Sequence, residues 1–256
     1  MTVRTAAAIA SLTLALGAPA CVGFYEIPIE TPIQAKMDVT SFQRVLIAGF
    51  LAGGSKSVDP NAETARLLRS QLRTKSGLKV IDADVRSLVD EIDKRQPTLA
   101  PRPSQGQGND EPKIKDEKDL QPYESIFNDV AYWKRIGEEY QQPLIVTGSV
   151  LFQEISRSGP QSQVQEYMDP SGRRATQEVR SYTERKGYAL VPKFVFIDGR
   201  TGQQLYSEGA REEVLYPSTQ NTPALSAYFE LMDKLLPGFL NTLSTQKIKG
   251  TRILLK

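Results

Sequence analysis

Leu144-Ile145-Val146-Thr147-Gly148-Ser149-Val150-Leu151 is the stretch on which the fold turns. It is apolar almost without a break, rich in branched side chains, and short. A run of that kind is a strand covered on both faces rather than a helix or a half-wet strand. Just ahead of it, Ile126, Phe127, Val130, Trp133, Ile136 and Tyr140 recur at helical spacing, and Pro143 ends that helix. A helix delivering the chain into a buried strand is a unit of layered α/β architecture.

The same alternation is found upstream. Arg44 to Phe50 reads as a buried strand closed by Gly53-Gly54. Asp59-Pro60 places a capping acid and a first-turn proline in the preferred order, and Ala65, Leu68 and Leu72 continue a helix ended by Gly77. Leu78 to Ile81 is a second strand. Asp84 opens a further helix with Val85, Leu88, Val89 and Ile92 in one stripe.

Downstream, 158–176 is polar, with Gly159-Pro160 and Asp169-Pro170-Ser171-Gly172 as turns. Tyr188 to Ile197 and Gln204 to Tyr216 then read as strands joined at Asp198-Gly199-Arg200-Thr201-Gly202. Thr222-Pro223 starts a last helix through Leu225, Tyr228, Phe229, Met232, Leu235 and Leu236, which Pro237 stops or kinks, and Arg252 to Leu255 is a terminal strand. The expected fold class is α/β (α+β): a mixed sheet of about five strands flanked by helices, with an added carboxy-terminal helix.

One segment breaks the pattern. Residues 95–122 hold five prolines, no aromatic residue, five basic and five acidic side chains and four apolar ones. That composition does not offset the entropy of ordering, so a disordered Pro-rich loop is expected.

The amino terminus reads as an address. Arg4 precedes an 11-residue apolar run, Ala6 to Leu16, which is too short to span a bilayer, and small or turn-forming residues Gly17 to Ala20 follow. The expected boundaries are 1–20 for a signal peptide, 21–40 for a lipidated cysteine and tether, and 41–256 for a single α/β domain. Ala18-Pro19-Ala20-Cys21 resembles a bacterial lipobox, which implies an acylated first mature residue at Cys21. Val22 in place of aspartate implies, by the same resemblance, sorting to the periplasmic face of the outer membrane. Several acyl chains on one cysteine anchor a protein stably.

Composition removes whole classes of chemistry. The 256 residues include no histidine and one cysteine. Ser-His-Asp and Cys-His catalysis, histidine-ligated zinc and an internal disulfide are therefore excluded. The signal carries one of the 32 basic side chains, Arg4, leaving 31 against 30 acidic ones, so nothing favours binding to a nucleic-acid backbone.

Gly53-Gly54-Ser55-Lys56-Ser57 follows a strand and precedes a helix, but Ser55 spoils the phosphate-loop spacing. Ser76-Gly77-Leu78-Lys79 has the Ser-x-x-Lys interval, yet it straddles a helix end and a strand. Glu138-Glu139 and Glu212-Glu213 are adjacent pairs whose side chains diverge. No catalytic set, metal or cofactor is expected. Tyr182, Tyr188, Tyr206 and Tyr216, in or beside the hairpin region, are the candidate binding residues, because tyrosine brings contact area and a hydroxyl at low entropic cost.

Taken in order, Val45–Phe50 with its glycine loop, the strand 78–81, the helix-to-"TGSV" passage at Ile145–Val150, and Val195-Phe196-Ile197-Asp198-Gly199-Arg200-Thr201-Gly202-Gln203 resemble a group of exported bacterial domains. These are the curli secretion lipoproteins, the amino-terminal domain of the TolB translocation protein and the LpoB-type activators of penicillin-binding proteins. The resemblance covers about residues 42–216. It implies a non-enzymatic, lipid-anchored domain that binds another envelope protein as an assembly factor or activator. The alternative is a homo-oligomeric secretion component of the curli-channel type. The membrane is the second expected partner, through the anchor.

Overall fold

The computed structural model describes residues 24–95 and 114–255. Cys21 and the signal lie outside the described residues, as do 96–113 of the Pro-rich loop. The elements run β1 (Phe24–Ile33), β2 (Arg44–Gly54), α1 (Pro60–Lys75), β3 (Lys79–Ile81), α2 (Leu88–Arg95), α3 (Glu117–Leu120), a 3-10 helix (Tyr123–Asn128) and α4 (Val130–Glu139). They continue with β4 (Leu144–Met168), β5 (Arg174–Asp198), β6 (Gln204–Gly209), β7 (Glu212–Pro217), α5 (Ala224–Leu243) and β8 (Gln246–Leu255). None of the described helices is long and apolar enough to cross a membrane.

Contacts divide the chain into two units. The larger, Gln34–Ser244, is the α/β body. Its mixed sheet has the order β3-β2-β4-β5-β6, with β7 also paired to β5. β3, β2 and β4 are parallel, and β5 turns the sheet antiparallel. Both faces are covered, as the apolar run at 144–151 requires. On one face Val45, Ile47, Phe50, Val146, Val150, Phe152, Leu190, Phe194 and Phe196 pack with α1 and α5. On the other, Leu46, Ala48, Leu51, Ile145, Leu151, Val195 and Ile197 pack with α2, the 3-10 helix and α4.

Gly49 makes that division work. Odd positions of β2 face α1 before it and even positions after it, because the register against β4 shifts between Ile47 and Gly49. Its φ of +129° favours glycine, and a Cβ there would stand 2.2 Å from the Arg86 carbonyl oxygen. Asn61 stabilises the irregular backbone: its Oδ1 accepts from Phe50 N at 2.7 Å and its Nδ2 donates to Arg86 O at 3.1 Å. Asp59 caps α1 by accepting from Asn61 N and Ala62 N at 3.0 and 3.2 Å.

Several elements depart from the sequence reading. Asp84 does not open α2, which begins at Leu88, while Val85 packs across the sheet against the α1 and α5 core. Residues 114–122, the described part at the end of the Pro-rich segment, pack into the body: Ile114 and Leu120 are buried in the second core and α3 starts at Glu117. Two well-placed apolar side chains give 114–122 a core contact that composition averaged away. Pro237 does not stop α5. Leu235, Leu236, Phe239, Leu240 and Leu243 on either side of it are all buried, and this packing outweighs one missing backbone bond.

The smaller unit is a two-stranded ribbon. β1 and β8 pair antiparallel from Phe24↔Leu255 to Ile33↔Gln246 without a break. Residues 24–33, expected as tether, are thus a strand, and the terminal strand begins at Gln246 rather than Arg252. Residues 246–255, placed by the sequence reading within 41–256, thus fall with residues 24–33 in the smaller unit.

Candidate docking site on a long ribbon

β4 and β5 each run for 25 residues and pair along their whole length, from Leu144↔Asp198 to Met168↔Arg174. The polar span 158–176, expected as turns, is mostly strand. β2 leaves β4 at Phe152 and β7 leaves β5 at Arg185, with one further bond from Ser218 N to Glu184 O at 3.2 Å. From Gly159↔Thr183 outward, ten residue pairs have no third strand among the described residues. At about 3.3 Å per residue this stretch is roughly 33 Å long. Both its edges present backbone N–H and C=O groups to solvent, which is the template for strand addition.

The tip is closed by Asp169, whose Oδ1 accepts from Ser171 N, Ser171 Oγ and Arg173 N at 2.9, 2.6 and 2.9 Å. These bonds hold its carboxyl below the ordinary carboxylate range, the Ser171 hydroxyl contributing most. Gly172 supplies the positive φ of +77°. Alternation places Glu166, Arg174, Glu178, Arg180, Glu184 and Lys186 on one face of the ribbon. The other face carries Gln163, Gln165 and Gln177, with Arg157 opposite Arg185 nearer the body. Neither face has the apolar band that lipid contact along a barrel strand requires.

Where the ribbon leaves the body, a recess of about 530 Å³ is lined by Glu154, Ser156, Lys186, Tyr188, Tyr216 and the loop 218–222. It lies at the start of the open β5 edge, since β7 ends there. Tyr188 is stacked on Phe152, with centroids 5.1 Å apart and planes 10° off parallel. Burial pushes its hydroxyl up from the usual tyrosine range, and Glu154 adds to this. The Tyr216 hydroxyl donates to Glu230 Oε2 on α5 at 2.7 Å. Burial first, and then that bond, push its pKa up to about 12. Glu213 ties β7 to the ribbon by accepting from Arg211 at 2.9 Å and from Arg157 at 2.5 Å. Both arginines, Arg211 foremost, hold its carboxyl below the ordinary range. The recess offers hydroxyl, amide and charged groups around a tyrosine floor, a surface suited to holding a peptide by hydrogen bonds and ring contact.

The structure brings two of the four candidate tyrosines together. Tyr188 and Tyr216 share the recess. Tyr182 stands on the ribbon, 74% exposed, with its hydroxyl donating to Ser158 Oγ at 3.0 Å. Tyr206 is half-buried beside Phe196 on β6, away from the recess, and so serves the core. Glu154, Lys186 and the loop 218–222 were missed from sequence, because nothing local marks them. The ribbon itself had a signal in the Asp169-Pro170-Ser171-Gly172 turn, which sits midway between two polar stretches of equal length.

The other motifs have structural roles. Gly54 N and Ser55 N donate to Ile114 O and Phe152 O at 2.9 and 2.6 Å, so those two loop amides are engaged within the fold. Ser76 caps α1, donating to Leu72 O at 2.6 Å. Glu139 pairs with Arg86 at 2.9 Å. In the Asp198–Gly202 hairpin, buried Asp198 accepts from Arg200 N at 2.8 Å and from its guanidinium at 3.1 and 3.2 Å, which raises the Arg200 pKa. The Arg200 guanidinium lies 4.9 Å from the Phe42 ring centre.

No family model matches the chain, and no curated protein does. Among solved structures it is similar to the lipoprotein GNA1162 from Neisseria meningitidis, at 11% identity and a TM-score of 0.31, over 77% of this chain and 98% of that one. It is also similar to a putative neuraminyllactose-binding hemagglutinin homolog from Helicobacter pylori, at 13% identity and a TM-score of 0.36, over 82% of this chain and 87% of that one.

Proposed function

We propose that this chain is a non-enzymatic, lipid-anchored component of the bacterial envelope that binds another envelope protein as an assembly factor or activator. Cys21 is its acylation site, and the periplasmic face of the outer membrane is its location. The observation that carries the binding role is the ten-pair outer stretch of the β4–β5 ribbon. A two-stranded ribbon of that length has no core of its own, and the backbone groups on its edges are matched best by another strand. The recess at Tyr188 and Tyr216 adjoins the open β5 edge, so a strand added there runs into side chains able to hold it.

A second reading is favoured by the same element. Because both ribbon edges are open, copies of the chain can add head to tail and close into a ring, as in the homo-oligomeric alternative. The polar faces argue against such a ring being embedded in lipid. Photo-crosslinking from position 182 in intact cells separates the readings. A product whose added mass is a different envelope protein supports the first, a ladder at multiples of this chain supports the second, and no product from position 182 refutes both.

A further inference from the structure

The β1–β8 ribbon has two unlike faces. Alternation puts Tyr25, Ile27, Ile29, Thr31 and Ile33 on one side of β1 and Glu26, Pro28, Glu30 and Pro32 on the other. On the second face Glu30 pairs with Lys247 at 3.2 Å and Lys249 at 3.9 Å, with Ile253 opposite Glu26. On the first face the apolar side chains are left wet: Tyr25 is 62% exposed, Ile27 44%, Ile29 39% and Ile33 36%. A ribbon with one ion-paired face and one exposed apolar face is shaped for the boundary between water and an apolar medium.

Two observations say which medium. The first is distance along the chain. β1 begins at Phe24, three residues after Cys21. Three residues reach at most about 10 Å, so acyl chains on Cys21 hold this end of the ribbon against lipid headgroups. Tyr25, the most exposed of the four, stands at that end, where an amphipathic ring suits a headgroup layer. Arg252, opposite Ile27 on the same face, has the stem and charge to reach lipid phosphates. The second observation concerns the edge. Pro28 and Pro32 are four residues apart in an unbroken ladder, so both turn their nitrogens away from β8. Two donors are thereby missing from the outer edge of β1. That weakens strand addition by another copy and lowers the cost of placing the edge near hydrocarbon.

We infer that the Tyr25-Ile27-Ile29-Ile33 face of the β1–β8 ribbon lies on the phospholipid leaflet beside the anchor. This rests on the lipid-anchor reading for its position, and the test keeps the two apart. Single tryptophans are placed at Ile29→Trp and Glu30→Trp, against the fixed signal of buried Trp133. Each is made in the acylated chain and in a Cys21→Ser chain, with an excess of phosphatidylethanolamine–phosphatidylglycerol vesicles. Emission from Ile29→Trp should move to shorter wavelength and be quenched by bromine-labelled lipid, while Glu30→Trp stays water-like. A combined Ile27→Glu, Ile29→Glu change should weaken vesicle binding of the Cys21→Ser chain roughly tenfold or more, with an unaltered urea midpoint reported by Trp133. Water-like emission from Ile29→Trp at vesicle excess overturns the inference, as does a shift that appears without vesicles and grows with protein concentration, which would assign the face to a second copy. The anchor is read independently, from the mass of Cys21 and from sedimentation with vesicles.

Discussion

Tyr228 offers the sharpest check on how α1 and α5 share the first core. It is fully buried, edge-on to Phe152 at 5.2 Å, with its hydroxyl against Thr64 and 3.3 Å from the Pro60 carbonyl oxygen. The Thr64 and Tyr228 hydroxyls are hydrogen-bonded to each other, and each also donates toward Pro60 O, Thr64 at 2.6 Å and Tyr228 at 3.3 Å. Tyr228→Phe removes one hydrogen bond between the helices, at a cost of about 1 kcal/mol near pH 7. Burial pushes the Tyr228 pKa well above the ordinary tyrosine value, more than the Thr64 bond lowers it.

The sign follows from linkage. The unfolded chain loses this proton near pH ~10 while the folded chain keeps it, so the wild type loses stability as pH rises above that point, by about 1.4 kcal/mol per pH unit. The Phe variant lacks this loss. The two stability curves should converge above pH ~10 and cross about 0.7 pH unit higher, beyond which the variant is the more stable. Urea unfolding followed by Trp133, the single tryptophan and buried in the other core, measures both proteins from pH 7 to 11. A stability difference that stays constant across this range would refute the reasoning, since it would mean that Tyr228 ionises as freely in the folded chain as in the unfolded one.

The remaining predictions concern the backbone and the site. Gly49→Ala should destabilise by about 1–3 kcal/mol from its φ of +129° and its approach to Arg86 O, read as a lower urea midpoint. Gly187→Val places a Cβ 1.9 Å from Val214 O and should loosen β7 from β5, at a cost of about 1–3 kcal/mol, with faster amide exchange confined to 212–217. Asp198→Ala leaves Arg200 N and its guanidinium without their acceptor and should cost about 1–3 kcal/mol, visible as a lower melting temperature. Glu213 sits below the ordinary glutamate range, so its contribution is present above pH ~4.3 and is lost as pH falls through the folded value. Glu213→Gln should therefore lower the melting temperature at pH 7, and the difference should vanish on acidification.

The body was legible from sequence wherever a segment is buried on both sides. Leu144–Leu151, Val45–Phe50 and the stripe Ala65, Leu68, Leu72 declare their structure because covering them is their largest free-energy term. The site was less legible. Tyr182, Tyr188 and Tyr216 stood out by residue type, yet their grouping with Glu154, Lys186 and the loop 218–222 depends on pairs such as Lys186↔Tyr216, which link β5 to β7. The ribbon that carries the site was hidden because both of its faces are wet, so no alternation of apolar and polar residues records it.

By itself, then, the sequence determined the layered α/β class and the exclusion of histidine chemistry, both of which follow from composition or local period. Tertiary structure decided the rest. It ran β4 and β5 outward as one polar ribbon, joined β1 to β8 across almost the whole chain, and carried α5 through Pro237. For β1 with β8, and for α5 against the core, the deciding partner lies far away in sequence and leaves no mark on either segment alone, whereas the outer β4–β5 ribbon is a local hairpin that goes unmarked because both of its faces are polar.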